Sequence, residues 1–116
     1  MARIRALSAI GGGAGGSEWL TPTNVSGTTW TAGWGFDADT VVLMYTHSNG
    51  YKYIMVIPTD SPSGAYFAAG SSTWATINAS PYVSFADKKH ISINFSATIS
   101  NVSVCPIVGK PNGYFV

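Results

Sequence analysis

The chain reads as all-β: a single antiparallel β-sandwich of jelly-roll or immunoglobulin-like kind, or alternatively a small barrel, with an extended arm at its N-terminus. Three observations lead there. Val and Ile occur nine times each, Leu three times and Gln never, so β-branched residues stand where a helical protein would place helix formers. No window sustains an apolar period near 3.6 residues. Turn-forming Gly, Pro, Asn and Ser recur roughly every ten residues, the spacing of short strands in sandwiches and barrels.

The arm comes first. MARIRALSAI is followed by GGGAGG, so residues 1–16 form an arm with a glycine-rich hinge and 17–116 the sandwich domain. Ordering a glycine tract costs more backbone entropy than ordering any other sequence. In an extended arm Ile4, Ala6 and Ile10 share one face and Arg3 and Arg5 the other. Arg3, Ile4, Arg5, Leu7 and Ile10 are therefore candidates for adding to an open sheet edge, where main-chain hydrogen bonds supply affinity. Six extended hinge residues reach about 20 Å, far enough to cross to a neighbouring subunit. The alternative is an arm that folds back as the first strand of its own sandwich.

Next come a short strand at 28–31 and then the clearest hairpin, TVVLMYTHSNGYKYIMVIP. Asn49-Gly50 suits a two-residue type I′ turn, which pairs Met44 with Met55 and Thr46 with Tyr53. Val42 and Ile57 join Met44 and Met55 on one face, while Leu43, Tyr45, Ile54 and Val56 occupy the other. Both faces are apolar, whereas a sandwich layer has one core side. The second face therefore calls for a cover, and Met44, Met55 and Tyr53 become candidates for self-association.

Pro58 to Gly64 is a turn-rich loop, followed by short strands at 65–69, 72–77 and 82–85. In the run from Lys89 to Ile99 the odd positions from Ile91 onward are apolar and the even ones polar, a strand with one wet face that is long enough to bend near Ala97. Residues 101–108 turn Val102 and Val104 inward, with Pro106 marking an edge or strand end, and 114–116 form a last short strand.

Composition narrows function. Charged residues make up 9% of the chain and the formal net charge is +1, which disfavours nucleic acid as a partner. No stretch approaches the ~20 apolar residues of a membrane span, and 6–10 is too short for the ~7–15-residue core of an export signal. The four Asn-x-Ser triplets, at Asn24, Asn78, Asn94 and Asn101, therefore read as composition. Cys105 cannot form an internal disulfide and lies between Val104 and Pro106, as a packed thiol.

The acids Glu18, Asp37, Asp39, Asp60 and Asp87 are scattered over turns, and His47 and His90 lie apart. No spacing predicts an acid–base pair, a metal site or a cofactor, so the expectation is a protein without catalysis. Aromatics are the more suggestive set. Trp30, Trp34 and Tyr51, with Asp37 for hydroxyls, would make a carbohydrate-binding surface if two or more rings faced solvent together; buried rings would mean core packing.

The leader ARIRALSAI, the tract GGGAGG and a compact Ser/Thr/Gly-rich β domain resemble the small accessory structural proteins of tailed bacteriophages, including capsid decoration, head-fibre and tail-associated modules. The resemblance implies a virion structural protein assembled in the host cytoplasm. It also implies capsid or tail proteins as partners, a homo-oligomer, and binding in place of chemistry. A host surface glycan is the partner on the alternative reading.

Overall fold

Alternating apolar positions on short segments produce nine strands in the computed structural model, which describes residues 18–70 and 73–109. In chain order these are β1 (Thr23–Ser26), β2 (Thr29–Gly33), β3 (Thr40–His47), β4 (Lys52–Pro58), β5 (Ala65–Ala69), β6 (Ala75–Ile77), β7 (Val83–Asp87), β8 (His90–Asn94) and β9 (Ile99–Ile107). A short 3₁₀ turn at Pro62–Gly64 interrupts the loop before β5. The strands form two antiparallel sheets, β1-β2-β8-β7 and β6-β5-β4-β3-β9, packed as a sandwich. Arg3, Ile4, Arg5, Leu7, Ile10, the glycine tract and the strand expected at 114–116 lie outside the described residues.

One core joins the sheets. Val41, Leu43, Met55, Ile57, Val102 and Val104 from the larger sheet meet Val83, Ile91 and Ile93 from the smaller. The long run from Lys89 splits as its length suggested: β8 ends at Asn94, Ser96 takes φ 57°, and β9 begins at Ile99. An Asx turn, with the Ser96 N–H donating to Asn94 Oδ1 at 2.9 Å, holds the break. β9 is an edge strand, which accommodates Pro106. Leu20 bridges its outer side through paired bonds to Val104 at 2.7 and 3.0 Å.

The hairpin corrects the expected register by one residue. Leu43 faces Met55, Tyr45 faces Tyr53 and Val41 faces Ile57. The turn holds three residues, not two: the His47 N–H donates to Tyr51 O, the Gly50 N–H donates to His47 O, and Gly50 has φ +90°. Such a turn needs only one residue in the left-handed region, and glycine supplies it. Asn49 stays at negative φ and its side chain accepts the Tyr51 N–H at 2.9 Å. A one-residue slip exchanges the faces of a strand. Here it brings Tyr53, Met55 and Ile57 inward together, and stacks Tyr45 on Tyr53 at 5.3 Å and 3°.

Met44 and Met55 therefore do not share a patch. Met55 is 2% exposed in the core, Met44 is 42% exposed on the opposite face, and Tyr53 is half-buried at the end of the sandwich. Of the four side chains expected on one exposed face, Val42, Met55 and Ile57 are buried.

Candidate functional site

The two ends of the sandwich differ chemically. At one end the crossing from β2 to β3 is fastened by polar groups. Thr59 Oγ1 donates to Ala38 O at 2.7 Å, Asp39 Oδ2 accepts the Gly109 N–H at 2.8 Å, and Thr40 Oγ1 donates to Gly109 O at 2.9 Å. Lys88 and Lys89, in the β7–β8 turn, pair with Asp39 at 3.5 Å and Asp37 at 2.7 Å. The Asp37 carboxylate raises the Lys89 pKa, and Asp87 is held below its ordinary value first by the His90 side chain and then by the Lys89 N–H. Asp37, Asp39 and Asp87 are thus all engaged in holding turns.

At the opposite end the hairpin, the β8–β9 break and the loop before β7 bring aromatic rings together. Tyr45 stacks on Tyr53, Phe95 tilts against Tyr45 at 4.5 Å and 33°, and Tyr82 stacks on Phe95 at 5.2 Å and 16°. His47 completes the arc, 5.8 Å from Tyr53. The rings line an open cleft of about 250 Å³ whose floor includes Met55, Phe67 and Ile77. Burial, with Tyr53 and Tyr82 close by, pushes the Tyr45 phenol up, so it keeps its proton.

Two further surfaces stand out. The outer face of the smaller sheet carries a shallow groove of about 590 Å³, crossed by a row of hydroxyl residues, Thr23, Thr31, Ser92 and Ser84, one from each strand. The outer face of the larger sheet is apolar: Val42, Val56 and Ile107 are each 2% exposed there, with Ile54, Trp74 and Cys105 packed around them. Burial raises the Cys105 thiol pKa, as befits a packed thiol.

The structure does not assemble the expected carbohydrate surface. Trp30 and Trp34 are half-buried against the core, and the Trp34 Nε1–H donates to Lys88 O at 2.9 Å. Tyr51 is 62% exposed at the hairpin tip, and Asp37 pairs with Lys89 at the other end of the molecule. These four residues share no surface because Trp30, on the inward face of β2, and Trp34, just past its end, both pack against the core. The rings that do converge are Tyr45, Tyr53, Tyr82 and Phe95, and only Tyr53 had been singled out. Alternation turns Phe95 inward, but the register of a two-residue turn sets Tyr45 and Tyr53 on opposite faces, and only the one-residue slip brings both rings inward.

The Asn-x-Ser asparagines all serve turns or strand irregularities. Asn24 donates to Gly27 O and Thr29 O, Asn78 and Asn94 accept N–H groups two residues on, and Asn101, at φ 52°, donates to Thr46 Oγ1. Among the described residues no group of three His, Cys, Asp or Glu side chains is placed to share a metal ion, and no helix is long and apolar enough to cross a membrane. The fold and its sites define a β-sandwich with one fastened polar end and one open aromatic end. Comparison with family models, curated proteins and solved structures finds no match.

Proposed function

We propose that the protein is a non-enzymatic structural or accessory subunit of a virion, meeting a second copy of itself along the β3–β9 border of the larger sheet. One observation carries the reading. Six large apolar side chains are strongly exposed among the described residues, and three of them, Trp19, Met44 and Val108, lie on or beside that border. Met44 sits opposite Ser103 of β9, Trp19 precedes the Leu20 bridge, and Val108 follows the end of β9. Grouped apolar exposure at a sheet edge is what an association surface supplies.

Sedimentation of the full chain is the test. The reading expects a discrete oligomer that Met44→Lys converts to a folded monomer. A chain that stays monomeric at millimolar concentration opposes it. Recovery of the chain with gradient-purified virions supports the virion assignment, and recovery only in the soluble lysate counts against it.

A further inference from the structure

We propose that the aromatic cleft at the hairpin end binds one neutral pyranose ring, stacked against the Tyr82–Phe95 side, with its hydroxyls held by Tyr53 and His47. Tyr82 rests on Phe95 through one face and is still 37% exposed, so it offers ring surface to a ligand. Aromatic faces are electron-rich and attract the polarised C–H groups of a sugar ring, while the same surface is poorly hydrated when empty.

The polar groups are already oriented. The Asn49 N–H donates to His47 Nδ1 at 3.1 Å, so the neutral imidazole carries its proton on Nε2, where it can be donated. Asn49 Nδ2 donates to Tyr53 Oη at 3.2 Å, which leaves the phenol proton available to an incoming acceptor. No Asp, Glu, Lys or Arg lines the cleft among the described residues, so nothing there favours a phosphorylated or acidic sugar. A volume of about 250 Å³ lies below the range of drug-sized sites and suits a single ring.

Backbone conformation points to the same end. The only non-glycine residues at positive φ among the described ones are Ser96 and Asn101. Ser96 follows Phe95 directly. Asn101 forms the irregularity of β9 between the partners of Met44 and Thr46, opposite Tyr45. Bulges and unusual backbone angles persist where the surrounding structure enforces them, and they concentrate beside binding sites. Ser96 adjoins the cleft through Phe95, and the Asn101 irregularity lies across from Tyr45 in its wall.

The experiment is saturation-transfer and titration NMR on the full chain with the methyl pyranosides of glucose, galactose, mannose and N-acetylglucosamine. The expected result is transfer to at least one of them, with a Kd on the order of millimolar, as befits one small ring. Amide shifts should concentrate at His47, Tyr53, Tyr82 and Phe95. Tyr82→Ala should weaken binding roughly tenfold or more. Tyr53→Phe, which keeps the ring and the fold, should weaken it several-fold, and Tyr51→Ala at the hairpin tip should not. The proposal fails if no pyranoside gives transfer, if binding survives both cleft substitutions, or if indole and phenol shift the cleft while no sugar does.

Discussion

Replacing Met55 by Ala and, separately, Met44 by Ala tests the hairpin register directly. In the structure the two methionines lie on opposite faces: Met55 is 2% exposed beside Leu43, and Met44 is 42% exposed. Truncating a fully buried methionine removes its transfer free energy and leaves a cavity, together costing about 2–5 kcal/mol. Truncating a substantially exposed one stays within about 0.5 kcal/mol. In a domain of this size each kcal/mol moves Tm by roughly 4–8 °C. Met55→Ala should therefore lower Tm by about 8–40 °C, and Met44→Ala by no more than a few degrees. Thermal melts followed by circular dichroism, at a protein concentration where both variants are monomeric, give the comparison, and equal m values in urea confirm that only stability has changed. In the register of a two-residue Asn49-Gly50 turn both methionines share one face and respond alike. Equal losses from the two substitutions would refute the three-residue turn and the core built upon it.

Two smaller effects follow from the same geometry. Gly50→Ala meets no atom within 4 Å, so its cost should be that of a left-handed backbone alone, about 1 kcal/mol in a urea melt. Asp87 should titrate below its ordinary 3.8, because the His90 side chain and the Lys89 N–H hydrogen-bond to its charged form. A carboxyl lowered by folding contributes stability above its unfolded value and loses it as pH falls through the folded one. His90→Ala should return the Asp87 carboxyl carbon resonance toward an ordinary titration midpoint, while the exposed position keeps any change in overall stability small.

Much of the fold could be read from alternation. Ile91, Ile93, Val102 and Val104 point inward as their spacing requires, and β5 occupies the residues expected of it. β1 escaped notice for a physical reason. Thr-Asn-Val-Ser is exposed at every position, as an edge strand with little to bury can be. The register slipped because Asn-Gly serves two turns. It can fill both central positions of a type I′ turn, or it can end a type I turn with Gly in the left-handed region. The local pair does not distinguish them. Packing does, since only the longer turn sets Tyr53, Met55 and Ile57 on the side where Val41, Leu43 and Tyr45 already point.

The candidate site was harder to foresee, because it belongs to no single segment. Trp30 and Trp34 looked prominent as a pair in TTWTAGWGF, yet Trp30 on β2 and Trp34 just past its end both pack against the core. Tyr45, Tyr53, Tyr82 and Phe95 are separated by up to 50 residues and meet only because three connections end together. The inward orientation of Phe95 was legible; that of Tyr53 beside Tyr45 depended on the hairpin register, and the depth of all four rings along the sandwich axis is written in no single segment. Rings near the middle of a strand become core, whereas rings one step from its end become the wall of an opening. Tyr53 lies one residue inside the start of β4, Tyr82 immediately before β7 and Phe95 immediately after β8. Strand ends are set by turn chemistry, here by Gly50, by the Asx turn at Asn94 and by the Ala79 carbonyl that accepts the Tyr82 N–H at 2.9 Å. The residues that create the cleft are therefore small turn-formers, and the rings that line it are ordinary inward-facing side chains left at the edge of the core.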